Sequence, residues 1–76
     1  MNAERRKRIT ELVTLLEGLK TDIEAVQQEE QDYYDNMPEN LQGSEKGQAA
    51  EAAADNLDEA AQAIESAIDY LTTSIQ

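Results

Sequence analysis

The chain has 76 residues with no cysteine and no histidine, and its 17 acidic side chains against six basic ones give a net charge of −11. This length allows at most one small domain with a thin core. The missing cysteine and histidine exclude disulfide bridges and the usual zinc and di-iron ligand sets. We therefore expect no metal or cofactor, and further burial of surface only by self-association or docking on another protein.

The charges are unevenly distributed. Four of the six bases form a basic cluster, Arg5, Arg6, Lys7 and Arg8, whereas residues 9–76 carry sixteen acids and only Lys20 and Lys46. Such a surface repels nucleic acid and anionic lipid and attracts basic protein surfaces. We expect a protein partner with a basic surface and no direct binding to nucleic acid or membrane. Strong acidity also occurs in disordered chains, but the regular apolar spacing favours a folded one.

The first long segment, about 2–36, has apolar residues at alternating spacings of three and four. Only Glu30 interrupts the series, which is Ile9, Leu12, Leu16, Leu19, Ile23, Val26, Tyr33 and Met37. This heptad pattern predicts a helix whose apolar stripe packs on another helix. Val13, Leu15 and Tyr34 widen the stripe, which favours a bundle over a strict two-stranded seam.

Residues 37–44 predict a turn. Pro38 disfavours helical backbone at Met37 and suits the first position of one short helical turn, with Leu41 turned inward. Gly43 then frees the backbone, and Ser44 is a good N-cap for a second helix. An alternative start for that helix lies after Gly47.

The second segment, about 45–75, is rich in alanine, the residue with the highest helix propensity. Its stripe keeps the same spacing and consists of Gly47, Ala50, Ala54, Leu57, Ala61, Ile64, Ile68, Leu71 and Ile75. A column of alanines seven apart lies beside that stripe, at Ala53, Ala60 and Ala67.

The two stripes match as an antiparallel hairpin when facing residue numbers sum to 80. This register pairs Tyr33 with Gly47, Val26 with Ala54, Leu19 with Ala61, Leu12 with Ile68, Ile23 with Leu57, Leu16 with Ile64 and Ile9 with Leu71. The sequence therefore predicts a single all-α domain over 1–76, an antiparallel two-helix hairpin. One hairpin leaves Val13, Leu15 and the alanine column partly in water, so we expect a homodimer that forms a four-helix bundle.

The basic cluster has two interpretations. It is either a short arm for nucleic acid or membrane, or a structural element. In a hairpin it lies near Asp69 and the terminal carboxylate, where bases complement both the acids and the end of the second helix dipole. The acidity of the remaining chain favours the structural interpretation.

The acids of the second helix are the candidate partner-binding residues, with one tyrosine as an anchor. The set is Glu51, Asp55, Asp58, Glu65, Asp69 and Tyr70. One hypothesis is a solvated face that keeps the bundle soluble. The other is mimicry of nucleic acid, because acids one helical turn apart lie about 5–6 Å from each other, of the order of the phosphate spacing. For the tyrosines, interface contacts and packing at the bundle margin remain equal alternatives.

No feature of the chain predicts catalysis. It lacks a nucleophile motif and a glycine-rich phosphate loop, so we expect a non-enzymatic protein. Glu29, Glu30, Asp32 and Asp35 are a weak candidate for a cation site, but they lack calcium-loop spacing. The favoured interpretation is that Glu30 specifies register as a single polar group in the core.

The turn and the helix after it resemble a group of small acidic proteins from phages, prophages and other bacterial mobile elements. The resemblance rests on YDNMPENLQGSEKG at 34–47 and NLDEA at 56–60. This group has no assigned chemistry, so the resemblance implies a genomic setting. Small acidic phage proteins often block host nucleases and other nucleic-acid-binding proteins, including CRISPR effectors. The resemblance thus implies an anti-defence inhibitor in the bacterial cytoplasm.

Two functional hypotheses follow. In the first, an acidic hairpin binds a basic or nucleic-acid-binding protein and inhibits it by occlusion. In the second, the apolar face docks on a larger assembly as a structural component. Membrane association through the basic cluster is a weaker third alternative, because the chain is so acidic.

Overall fold

The computed structural model describes every residue from Met1 to Gln76 and shows a hairpin of two long helices without strands. Helix α1 spans Ala3–Asp35, the short helix α2 spans Glu39–Gln42, and α3 spans Glu45–Ser74. Helices α1 and α3 pack along their length in a rod of 58 × 15 × 13 Å. The predicted all-α hairpin is confirmed.

Both long helices begin at a side-chain cap. The Asn2 Oδ1 atom accepts a hydrogen bond from the Arg5 backbone N–H at 2.8 Å, and Ser44 Oγ accepts one from Gly47 N–H at 3.3 Å. Each oxygen satisfies one of the free N–H groups of a helix start. The predicted N-cap at Ser44 is confirmed, and the alternative start after Gly47 is wrong.

The turn is held by hydrogen bonds around α2. The N–H groups of Leu41 and Gln42 donate to the Pro38 carbonyl at 2.8 and 3.1 Å, and the Gln42 side chain donates to the Tyr34 carbonyl at 3.1 Å. Pro38 is therefore the N-cap of α2, whereas the sequence predicts it at the first position inside that helical turn. Two expectations are wrong: Gly43 has an ordinary helical backbone with φ −84°, and Leu41 is 48% exposed.

Helix α3 turns its predicted stripe towards α1. All nine positions of that stripe are buried or half-buried. The chain's four buried residues belong to it: Gly47, Ala50, Ala54 and Ala61. Because these residues are small, the two helices approach closely near the turn and leave a thin core. The prediction for this helix is confirmed.

The predicted stripe of α1 is only half right. The half-buried series is Ile9, Val13, Leu16, Lys20, Ile23, Gln27, Glu30, Tyr34 and Met37. Every second residue of this series belongs to the predicted stripe. At each of the other positions, the half-buried residue is the one that follows the predicted residue in the sequence. Four predicted core residues are instead exposed, Leu12 by 49%, Leu19 by 53%, Val26 by 49% and Tyr33 by 43%. Glu30 is half-buried as predicted, but Lys20 and Gln27 share the seam, so it is not the only polar group there.

Long polar side chains explain this rotation of α1. The stem of Lys20 lies over the seam, and its Nζ atom reaches Glu65 Oε2 at 3.1 Å. The Tyr34 hydroxyl interacts with Glu51, and this interaction raises the pKa of Tyr34. Such amphipathic side chains cover the small residues of α3 with their stems and keep their polar ends at the surface.

The same contacts bear on the register. Residue numbers sum to 85 in the Lys20–Glu65 and Tyr34–Glu51 pairs and to 79 where Lys46 lies over the Tyr33 ring, so the contacts do not share the single predicted sum of 80. Tyr33 does not face Gly47, and instead the Lys46 Nζ atom lies 5.8 Å from the centroid of its ring. The surroundings of Gly47 are main-chain carbonyls of Leu41 and Gln42.

Candidate protein-interaction surfaces

The seam between α1 and α3 divides the hairpin into two flanks, each marked by a cross-helix contact. The Lys20–Glu65 contact crosses one, and the Tyr33–Lys46 contact crosses the other. Residues seven apart lie on the same side of a helix in a heptad pattern. The column of each contact residue can therefore be assigned to its flank.

One side is the acidic flank. Helix α3 supplies Glu51, Asp58 and Glu65, and α1 supplies Glu17 and Glu24, which are seven residues apart. The Glu24 Oε2 atom lies 3.9 Å from Lys20 Nζ. All five acids are exposed. Residues seven apart are separated by about 10 Å along a helix, so the flank presents two parallel rows of carboxylates along the rod.

Lys20 is the single base set into this surface. The hydrogen bond to Glu65, and then the charges of Glu24 and Glu65, raise the pKa of Lys20 above its ordinary value. On the same flank, the side-chain interaction with Glu51 is the main cause that raises the pKa of the Tyr34 hydroxyl. Both groups stay protonated at neutral pH, so they fix two of the carboxylates in place and leave the flank strongly negative.

The structure brings five of the six predicted partner-binding residues to one side. Glu51, Asp58 and Glu65 form the row described above. Asp55 and Asp69 each lie one helical turn after a member of that row and stand beside it. Glu65 and Glu51 already interact with Lys20 and Tyr34, whereas Asp55, Asp58 and Asp69 make no hydrogen bond or ion pair with α1.

Tyr70 does not join the acids. It is 79% exposed and lies one helical turn after Ala67, on the side of the alanine column. The predicted role as an anchor within the acidic surface is therefore wrong in its placement. Exposure made Tyr70 a candidate anchor, but it does not fix the side of the helix, since Tyr70 is turned by about 100° from Asp69.

The carboxylates are dispersed rather than clustered. No group of three acidic side chains is close enough to hold a metal ion. Glu29, Glu30, Asp32 and Asp35 therefore do not form the weak candidate cation site considered above.

The other side is the apolar flank, whose α1 column sequence reasoning placed inside the core and whose α3 column it placed beside the seam. Its α1 column is Leu12, Leu19, Val26 and Tyr33, and its α3 column is Ala53, Ala60 and Ala67, in line with Lys46. Leu15, which is 64% exposed, extends it outward. The strict seven-residue spacing within each column is the sequence signal that could have identified this flank, because the residues of each column form a complete series of their own.

A concave surface continues the apolar flank onto the turn. It encloses about 420 Å³ and is lined mainly by Tyr33, Met37, Pro38, Leu41 and Lys46. The interaction with Tyr33 raises the pKa of Lys46, so the base at its edge is charged. The apolar flank thus runs without interruption from Leu12 to the turn.

The basic cluster lies at the opposite end of this flank. Lys20 makes the only ion pairs of the hairpin, so the cluster makes none with Asp69 or the terminal carboxylate, and its expected complementarity to them and to the end of the α3 dipole stays a prediction. Asp69 instead adds a small contribution to the raised pKa of Lys20. Arg5 and Arg8 line a shallow concave surface together with Ile9 and Leu12.

In comparisons with known proteins, no family model, no curated protein and no solved structure matches this chain. Neither long helix of the hairpin has a stretch apolar enough to cross a membrane.

Proposed function

We propose that this chain is a small non-enzymatic interaction protein that binds a basic or nucleic-acid-binding protein through its acidic flank and inhibits it by occlusion. The observation that supports this is the arrangement of Glu17, Glu24, Glu51, Asp58 and Glu65 along one side, with Lys20 as the single base among them. A rigid rod with one negative side attracts basic grooves and accelerates encounter with them.

The spacing of the acids suits a site that binds a nucleic-acid backbone. Asp55 and Asp58, like Glu65 and Asp69, are one helical turn apart, which separates such side chains by about 5–6 Å. Consecutive phosphates of a DNA strand advance by about 3.4 Å along the duplex axis, so the acids are spaced more widely than this advance but by a distance of the same order. A basic groove that accommodates phosphates can therefore place several of its bases against this row.

The turn sequence supplies the biological setting for the proposal. Its resemblance to small proteins of phages and mobile elements suits an anti-defence inhibitor that acts in the bacterial cytoplasm, with a nucleic-acid-binding effector as its target. The partner is recognised by its basic surface rather than by a pocket.

Charge reversal of Asp55, Asp58 and Asp69 to lysine tests the proposal. These acids make no hydrogen bond or ion pair with α1, so the hairpin should keep its helix content. The matched control reverses Glu11, Glu39 and Glu45, which changes the net charge equally elsewhere on the surface. We expect the wild type and the control to retain nucleic-acid-binding proteins from bacterial lysate at low salt, to release them at high salt and to lose them to competing duplex DNA. Equal retention by the flank variant would rule out this surface.

The proposal also includes a homodimer, in which two hairpins pack as a four-helix bundle. The supporting observation is the uncovered α1 column of the apolar flank, whose side chains are each about half exposed. Large apolar side chains in a continuous row are costly to leave in water and typical of interfaces. Light scattering at micromolar concentration should give the mass of two chains.

The same column favours a second candidate function, a component that docks on a larger assembly through its apolar flank. Substitution of Leu15 and Leu19 by serine would then abolish assembly, and reversal of the acids would have little effect. Under the inhibitor proposal, reversal of the acids abolishes binding to a basic protein, whereas the two serine substitutions have little effect on that binding.

A further inference from the structure

The two ends of the hairpin carry opposite charge. The open end holds the basic cluster, Arg5, Arg6, Lys7 and Arg8, which has no ion pair within the chain. The turn end, residues 29–46, carries six acids and one base, Lys46. The rod is 58 Å long, so these groups are far beyond contact distance within one chain. Acids therefore outnumber the one base at the turn end, and the basic cluster is unpaired at the open end, so each end can attract opposite charge on another molecule.

The apolar flank connects the two ends, and its borders carry the same polarity. Arg5 lies seven residues before Leu12, and Arg8 one helical turn before it, so both bases border the apolar column at the open end. Glu29 lies between Val26 and Tyr33 in helical spacing and borders the column at the turn end. All three charged side chains are exposed. A surface with apolar residues along its centre and opposite charges at its ends is complementary to a reversed copy of itself.

We propose that the apolar flank is the interface with a second copy of this chain, packed head-to-tail, so that Arg5 and Arg8 of one subunit lie against the turn end of the other. In this arrangement α1 packs antiparallel to α1 of the partner subunit, with Leu19 near the two-fold axis. Leu12 then lies beside Val26 of the partner subunit, and Arg8 lies beside Glu29 of the partner subunit.

Electrostatics select this orientation over the turn-to-turn alternative. Turn-to-turn packing would place the six acids of residues 29–46 beside the same six acids and each basic cluster beside the other. Like charges in contact across an interface are repulsive and disfavour a pairing that shape alone would allow. Head-to-tail packing brings opposite charges together at both ends, and two-fold symmetry makes each such contact occur twice.

The chain has no native cysteine, so disulfide trapping tests the orientation directly. In the head-to-tail dimer, a mixture of the Leu12→Cys and Val26→Cys variants should form a cross-linked dimer. Leu12→Cys alone should not, because its two copies would lie roughly 20 Å apart along the helix axis, whereas bridged Cα atoms lie about 4.4–6.8 Å apart. Cross-linking of Leu12→Cys with itself, or a dimeric mass with neither cross-link, would overturn the inference.

Charge exchange gives a second test that leaves the apolar contacts intact. We expect Arg8→Glu and Glu29→Arg each to raise the dimer dissociation constant roughly tenfold, since each change replaces two attractive contacts by repulsive ones. The double variant Arg8→Glu/Glu29→Arg should return the dimer dissociation constant to within about threefold of the wild-type value. Lys7→Glu is the matched control, because it makes the same charge change about 100° away on the helix and should have little effect. Equal effects of Arg8→Glu and Lys7→Glu would contradict the proposed contact.

This inference rests on the proposed homodimer and is independent of the proposed basic partner. A monomeric mass at high micromolar concentration would defeat the homodimer and the orientation together. A dimeric mass with the turn-to-turn cross-link would defeat the orientation alone. Binding of a basic protein by the acidic flank would be unaffected by either result.

Discussion

A single added methyl group at Gly47 should disrupt the turn, whereas the same change at Gly18 should stabilise the protein. A Cβ atom on Gly47 would lie 2.5 Å from the Leu41 carbonyl oxygen and closer still to that of Gln42. Both oxygens belong to the main chain of the turn, so neither can move without displacing α2. Around Gly18, in the exposed middle of α1, nothing lies within 4 Å of the added atom.

These surroundings decide the sign and size of the two effects. Alanine in place of a helical glycine contributes about 1 kcal/mol when the added atom is tolerated, so Gly18→Ala should gain that amount. Overpacking costs about 1–3 kcal/mol, and the rigid neighbours of Gly47 place the clash at the upper end. After the gain in helix propensity, Gly47→Ala should lose about 2 kcal/mol.

Thermal unfolding followed by circular dichroism measures both changes at equal protein concentration, which self-association requires. In a chain of this size, 1 kcal/mol shifts Tm by about 4–8 °C. We expect Gly18→Ala to raise Tm by roughly 5 °C and Gly47→Ala to lower it by roughly 10 °C. If Gly47→Ala were as stable as the wild type, the close approach of α3 to the turn would be refuted.

Other predictions concern the cap, the cross-helix contacts and pH. Ser44→Ala should cost about 1 kcal/mol of unfolding free energy, because it removes the cap of α3, and urea unfolding would measure this; an unchanged midpoint would contradict the cap. The pKa values of Lys20, Tyr34 and Lys46 are all raised in the folded chain. The folded state therefore holds protons that the unfolded state releases above about pH 10, and the urea midpoint should fall as pH rises through that range. Tyr34→Phe, which cannot donate to Glu51, should show a smaller fall than the wild type, and an identical pH profile would argue against that interaction.

The sequence predicts α3 and its cap well, since local signals there agree with one another. Alanine favours a helix wherever it stands, Ser44 is a favourable cap, and the stripe of α3 has no competing series. The turn is less predictable. Its proline and glycine indicate a break, but the orientation of Leu41 depends on how α2 packs against the two long helices.

Helix α1 shows why periodicity alone cannot define the seam. Two series with the same spacing share Ile9, Leu16 and Ile23, and differ only in the residues between them. Hydropathy selects Leu12 and Leu19, whereas the folded hairpin selects Val13 and Lys20. The choice depends on contacts with Glu51 and Glu65, which are distant in sequence and cannot be assigned before the register is known.

In the candidate site too, local sequence spacing predicts some placements, and others depend on the fold. The seven-residue spacing of Glu51, Asp58 and Glu65 places them on one side of a helix without knowledge of the fold. The outward position of Tyr70 predicts an exposed anchor, and the structure places this exposed residue beside the alanine column. The apolar flank emerges only once the observed seam shows which apolar residues α3 does not cover.

The central claim is that the two flanks differ in role, with the apolar flank covered by a second copy and the acidic flank free for a partner. Sedimentation equilibrium of Leu19→Asp against Ala25→Asp, an exposed position outside the apolar column, tests it most directly. Leu19 is already 53% exposed in the hairpin, so the aspartate should leave the monomer folded. It should destabilise the dimer by about 3 kcal/mol or more, from lost burial on both subunits and a desolvated charge. The account predicts a dimer for the wild type and Ala25→Asp and a helical monomer for Leu19→Asp; equal association of all three, or a monomeric wild type, would contradict it.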